Sequence, residues 1–317
     1  MLSWVGALSL AGCVTGTAAP TERRGEVALD ANEVTPIVDE ELNRLVEDRA
    51  AVRAAIVVLD ARDGRILAAR GRGPDGHAEA RREVTVGSTI KPLTVAAALE
   101  AGLDPSREFS GEAGRLVAGE VVLRDVRPSE RLDATDVIVR SSNVGAAQIV
   151  REIGDAPVAE IFRRAGLLDR AGAVDAGADG APSASWTVRG TGIGVETNLV
   201  RLASIYGSFA NGGELIEPTS DGAGARVTLM QAATASAVLD MLEAAVADGG
   251  TGRRARVPGR RVAGKTGTVA DAVLFAGVTS RDERRYVIVV RAELPGEAWG
   301  GEAAAPVFAR IARQLPR

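Results

Sequence analysis

The stretch GSTIKPLTVAAALEAG, residues 87 to 102, sets a serine and a lysine three positions apart at the mouth of an apolar helix. In Gly87-Ser88-Thr89-Ile90-Lys91-Pro92 the glycine permits a tight turn, and the proline suits a first helical turn, where a missing N–H costs least. Ser88 is therefore expected at the helix N-terminus. Residues i and i+3 are neighbours on a helix surface, so the Lys91 amine can reach the Ser88 hydroxyl. The downstream LTVAAALEA offers few polar groups, which predicts a buried helix. Desolvation disfavours an ammonium and lowers a lysine pKa. A neutral amine beside a hydroxyl is a general base beside a nucleophile. Free N–H groups at the helix start can stabilise a tetrahedral oxyanion, so the chemistry on offer is acyl transfer. The competing reading is a serine cap followed by a lysine whose stem carries its charge out to solvent.

Two further clusters weigh on that choice. Ser141-Ser142-Asn143 falls at the break between the helical runs DATDVIVR and VGAAQIVREIG. Lys265-Thr266-Gly267-Thr268 lies on a β-like run, RRVAGKTGTV. The elements that must position these clusters are readable. A helix is expected from Pro36, with Ile37, Leu42, Leu45 and Val46 on its apolar stripe. AAIVVLDARDGRILAAR holds two apolar runs around Asp63-Gly64, the strongest short-range hairpin signal. From Pro92 to Val246 the periodicity is mostly helical, and after Gly259 it turns to short β-like runs before a last helix, AAAPVFARIARQL. Sheet segments at both ends with helices between predict an α/β fold of the α+β type. One antiparallel sheet is flanked by helices and carries an inserted all-helical subdomain.

The whole chain narrows the function. Its 317 residues, 46% of them apolar, can bury a sizeable core. A net charge of -4 and an aromatic content of 3% argue against nucleic acid as a partner. A single cysteine, Cys13, and a single histidine, His77, exclude a disulfide framework, a thiolate-rich metal site and a multi-histidine zinc site. No metal or organic cofactor is expected. His77, in the polar run GRGPDGHAEARRE, reads as a loop residue, and the arginine-rich GRRARVPGRR (252–261) as a solvated loop rather than a contact for an anionic polymer.

The N-terminal apolar run MLSWVGALSLAGC is too short to span a bilayer but long enough for a signal core. Leu10-Ala11-Gly12-Cys13 resembles the lipobox of bacterial lipoproteins, in which the cysteine is lipidated. The expected organisation is a lipoprotein signal over 1–13, a tether over 14–35 and one domain over 36–317. Neither a pedestal domain before residue 36 nor a glycosyltransferase region is expected.

S-x-x-K, S-D-N and K-T-G together form the signature of class A β-lactamases and penicillin-binding proteins. Ser88-x-x-Lys91, Ser141-Ser142-Asn143 and Lys265-Thr266-Gly267 are their counterparts, in order. With DARDGRILA, SSNVGAAQIV, GTGIGVETNLVRLASIYGSFANGG, DGGTG and GGEAAAPVFARIA, the sequence resembles the transpeptidase domain of class B penicillin-binding proteins over residues 36 to 317. The resemblance implies the penicillin-binding transpeptidase fold and a D,D-transpeptidase of the cell envelope, outside the cytoplasmic membrane. Its substrates would be peptidoglycan stem peptides, its inhibitors β-lactams, and its partners other cell-wall synthesis proteins. It implies Ser88 as nucleophile, Lys91 as base, Ser141 as proton relay, Asn143 as a hydrogen-bonding partner of Lys91 and the substrate amide, and Lys265 as a positive charge beside Ser141. Thr266 and Thr268 would hold the substrate carboxylate, Gly267 would let substrate backbone approach the strand, and the Ser88 and Thr268 N–H groups would form the oxyanion hole. The rivals are a D,D-carboxypeptidase, a serine β-lactamase and a non-catalytic β-lactam sensor. Two departures stand out. Val86 occupies the usual proline position before Gly87-Ser88, which is expected to loosen the turn, and AGAVDAGADGAPSASW lacks the family's usual proline and glutamate, which is expected to alter the substrate walls.

Overall fold

The computed structural model describes residues 31–168, 184–270, 272–281 and 283–316. Its centre is one antiparallel sheet of β1 (Arg53–Asp60), β2 (Ile66–Arg72), β3 (Arg261–Val269), β4 (Ala272–Arg281) and β5 (Arg284–Glu293), ordered β3-β4-β5-β1-β2. The hairpin expected at Asp63-Gly64 joins β1 to β2. Pairing of Ile56 with Val290 and Val57 with Val289 stitches the two ends of the domain together.

The helices are α1 (Ala31–Glu47), α2 (Lys91–Glu100), α3 (Ala134–Val139), α4 (Asn143–Ile153), α5 (Asp155–Arg164), α6 (Ala184–Arg189), α7 (Leu199–Ala210), α8 (Ala232–Val246) and α9 (Gly300–Gln314). Successive strand residues point to opposite faces. Ile56 and Val58 thus join Val34, Val38, Leu42 and Phe308 in a core under α1 and α9. Val57 and Leu59 join Leu93, Leu202, Tyr206 and Val238 in a second core under α2, α7 and α8. Burial of both faces is why AAIVVL reads as a continuous apolar run rather than an alternating one. In the first core Phe275 and Phe308 meet edge to face with ring centroids 4.8 Å apart; truncating a buried aromatic of this kind to alanine costs about 3–5 kcal/mol.

Three expectations need correction. Helix α1 starts at Ala31 rather than Pro36, so the end of the tether expected over 14–35 is helical. Its buried stripe is Val34, Val38, Leu42 and Leu45, whereas Val46 is exposed. The i, i+4 spacing of Val34 and Val38 carries the helix upstream, and Pro36 is accommodated on the exposed side. The insert between the sheet segments is not all-helical. It also holds two-stranded hairpins, among them Arg115–Ala118 with Val121–Arg124, whose Leu116, Ala118 and Leu123 pack on Val144 and Ala147 of α4. Strands of four residues are too short to show a period against helical surroundings. The third correction, at Val86, belongs to the site.

The signal over 1–13, with Cys13, lies outside the described residues, as does most of the segment expected to alter the substrate walls. Among the described residues no helix is long and apolar enough to cross a membrane. The arginine-rich loop is satisfied locally: Arg254 pairs with Glu302, Arg256 with Asp248 and Arg261 with Glu243.

Candidate active site

Ser88 sits in a single 3-10 turn, Gly87–Ile90, that runs directly into α2. Gly87 adopts φ +52, and a Cβ there would stand 2.5 Å from Val269 Cγ2, so glycine is what lets the turn lie against β3. Behind it, the Thr89 hydroxyl donates to Val86 O at 2.7 Å and the Tyr206 hydroxyl donates to Thr89 O at 2.7 Å. Val86 does not loosen the turn. Its N–H donates to Val195 O at 3.1 Å, a bond proline could not make.

The Lys91 ammonium stem is fully buried, with Nζ 2.5 Å from Ser88 Oγ and 2.8 Å from Asn143 Oδ1. The solvent-reaching alternative for Lys91 is therefore excluded. Burial pulls its pKa from 10.5 down to about 7, against the Asp125 carboxylate, which raises it. At neutral pH a large share of the amine is free to accept a proton from Ser88.

The second cluster forms the tight turn between α3 and α4. Ser141 takes φ +61, uncommon for a residue with a Cβ, and receives the Lys265 Nζ at 2.7 Å on its Oγ. Ser142 points the other way: its Oγ caps α4 by accepting from Gly145 N at 2.8 Å and donates to Asp125 Oδ2 at 2.5 Å. Asn143 opens α4, with Nδ2 donating to Arg124 O at 2.8 Å, so its Oδ1 faces Lys91.

Lys265, on β3, is also fully buried and donates to Thr266 O at 3.0 Å. Burial and the neighbouring Lys91 charge hold its pKa well below the usual lysine range. Thr266 and Thr268 line a cleft of about 350 Å³ together with Ser88, Ser141, Asn143 and Trp299. Gly267 lies on β3 against the Ser88 turn. A Cβ there would meet Thr89 Cγ2 at 2.9 Å and Val86 O at 3.2 Å, so the missing side chain makes room for the nucleophile turn. His77 lies elsewhere, its Nδ1 3.2 Å from Gly71 O. Among the described residues no group of His, Cys, Asp and Glu could hold a metal ion.

Residues 54–313 match the family described as "Penicillin binding protein transpeptidase domain". The chain belongs to that family. It is 27% identical to penicillin-binding protein PbpB of Mycolicibacterium smegmatis, over 91% of this chain and 55% of the relative. It is 30% identical to the probable peptidoglycan D,D-transpeptidase PbpC of Pseudomonas aeruginosa, over 71% of this chain and 44% of the relative. The chain thus spans about half the length of these curated relatives. Its fold matches the apo transpeptidase domain of Burkholderia pseudomallei penicillin-binding protein 3 with a TM-score of 0.76 at 26% identity, covering 92% of this chain and 96% of that one.

This penicillin-binding transpeptidase domain also uses residues the motifs do not include. Asp125 accepts from Asn143 N at 2.6 Å and Val144 N at 3.1 Å besides Ser142 Oγ. Thr251, whose Oγ1 stands 3.1 Å from that of Thr266, comes from DGGTG, quoted only as a landmark. Tyr206 likewise lies in a stretch quoted only as a landmark, GTGIGVETNLVRLASIYGSFANGG.

Proposed function

We propose that this domain is a serine D,D-transpeptidase that cross-links peptidoglycan stem peptides through an acyl-enzyme at Ser88. The observation that carries this reading is the 2.5 Å contact between Ser88 Oγ and the amine of a fully buried lysine that burial has brought to a pKa of about 7. Ser88 Oγ attacks the carbonyl of the penultimate D-alanine while its proton passes to the neutral Lys91 amine. The Ser88 and Thr268 N–H groups stabilise the oxyanion. The peptide C–N bond then breaks, and the terminal D-alanine leaves with a proton handed on through Ser141. An acceptor amine attacks the resulting ester, returns a proton along the same route and restores the Ser88 hydroxyl.

Thr266 and Thr268 bind the terminal carboxylate of the donor. That anion beside Lys265 restores the positive charge which burial and Lys91 oppose in the free cleft, so the charge expected of Lys265 is completed by substrate. Asn143 holds Lys91 and the substrate amide. Cys13 carries a lipid anchor that keeps the domain on the outer side of the cytoplasmic membrane, a reading supported by Leu10-Ala11-Gly12-Cys13, and partner proteins of cell-wall synthesis supply nascent strands there.

The test is incubation of the protein with a stem pentapeptide and an acceptor amine. Released D-alanine with cross-linked product supports the transpeptidase. Released D-alanine with tetrapeptide alone makes it a carboxypeptidase, and no release with persistent β-lactam uptake makes it a sensor. Rapid hydrolysis of the β-lactam itself marks a β-lactamase.

A further inference from the structure

Asp125 is the charged group that joins the second cluster to the lysine. It follows the strand Val121–Arg124 and is held by its own N–H, which donates to Gly114 O at 3.0 Å. One carboxylate oxygen takes the Ser142 hydroxyl and the other takes the N–H groups of Asn143 and Val144. A carboxylate at the start of α4 complements the partial positive charge of the helix terminus and fixes the first turn. Asn143 is the first residue of that turn, so the carboxylate sets where its Oδ1 meets Lys91 Nζ.

We propose that Asp125 is a positioning residue for the acyl transfer: its carboxylate fixes the Ser141–Ser142–Asn143 turn on Lys91 and supplies the negative charge against which the amine takes up the Ser88 proton. The proton leaves Ser88 Oγ as the Oγ–carbon bond forms and converts the Lys91 amine to an ammonium. In a buried site that new cation needs a nearby anion. The other charged groups around the pair do not supply one. Lys265 on β3 is itself a base or cation, and Arg127 and Arg140 on the cleft wall are cations. Glu302 of α9, also on the wall, is paired with Arg254. Tyr206 of α7 is kept protonated, its pKa raised by burial and its hydroxyl engaged by Thr89 O.

This inference rests on the functional reading above. The experiment is the rate of acylation by benzylpenicillin from about pH 5 to about pH 9, by rapid quench and intact mass, in the unaltered protein, Asp125→Asn and Ser142→Ala. An unfolded fraction lowers the amplitude and leaves the midpoint of the acid limb in place, so the midpoint reports the amine alone. Asp125→Asn keeps the shape and one acceptor but removes the charge. Its acid limb is expected to move down by about one pH unit, with a plateau about tenfold lower. Ser142→Ala removes the hydroxyl and keeps the charge, so its plateau falls while its midpoint stays. An unmoved midpoint in Asp125→Asn overturns the proposal and leaves Asp125 a helix cap, with the transpeptidase reading intact. A midpoint shift in Ser142→Ala also overturns it. No acylation of the unaltered protein at any pH overturns the functional reading and the inference with it.

Discussion

The two faces of the sheet each bury charge, and they treat it in opposite ways. Under α1 and α9, Glu41 is fully buried and fully matched: Arg310 Nε lies 2.9 and 2.8 Å from its two oxygens, and Arg44 Nη1 lies 2.8 Å from Oε1. On the face that carries α2 and the cleft, Lys91 and Lys265 are equally buried but touch only hydroxyl, amide and carbonyl oxygens. An ion pair at hydrogen-bond distance holds its charge and serves the fold. A buried amine whose direct hydrogen-bond partners are neutral is ready to exchange its proton and serves the chemistry.

The largest effect should come from Lys91→Met. It removes the base and should slow acylation of Ser88 by about 10²–10⁴-fold. Because a buried charge is replaced by an apolar chain of similar shape, thermal denaturation should show stability unchanged or raised. Glu41→Ala should do the reverse. It leaves Arg310 without its carboxylate while Arg44 keeps Glu40, and because both arginines are part-exposed denaturant titration should show a loss of about 1.5–3 kcal/mol. The acylation rate per folded molecule should hold. Equal loss of stability in both variants would break the contrast.

The pH profile sharpens it further. Below about pH 7 Lys91 is protonated and cannot accept the Ser88 proton, so acylation should fall about tenfold per pH unit on the acid side and level off above. A flat profile would mean that burial does not set the reactivity of the amine. Gly267→Ala tests the seam between β3 and the nucleophile turn. The added Cβ meets Thr89 and Val86, and about 1–3 kcal/mol of stability should be lost together with acylation rate. The smallest effect is expected at the surface: Arg256→Ser breaks the exposed pair with Asp248 and should change stability by less than about 0.5 kcal/mol.

Much of the site was legible because its chemistry is packed into short windows. Ser88 and Lys91 are one turn apart, glycine and proline mark the turn, and Ser141 and Lys265 stand in equally local patterns. Asp125 was not legible, nor was the role of Tyr206 within its landmark stretch, because both reach the site through tertiary contacts. The Tyr206 hydroxyl bonds a carbonyl 117 positions away, and nothing in its own window asks for that. Gly267 was legible as a glycine but its close contact with Thr89 and Val86 was not, since the sequence does not say which face of β3 meets the Ser88 turn. The β1–β2 hairpin and the C-terminal strands were plain from turn chemistry and apolar runs. The start of α1 was hidden by Pro36, which resembles a helix boundary and lies within the helix.

The most direct test of the central claim is the intact mass of the protein over time after adding benzylpenicillin, with Ser88→Ala alongside. The account predicts a persistent gain of one drug mass in the unaltered protein and none in the variant. An adduct that survives in Ser88→Ala, or no adduct in either, would contradict it.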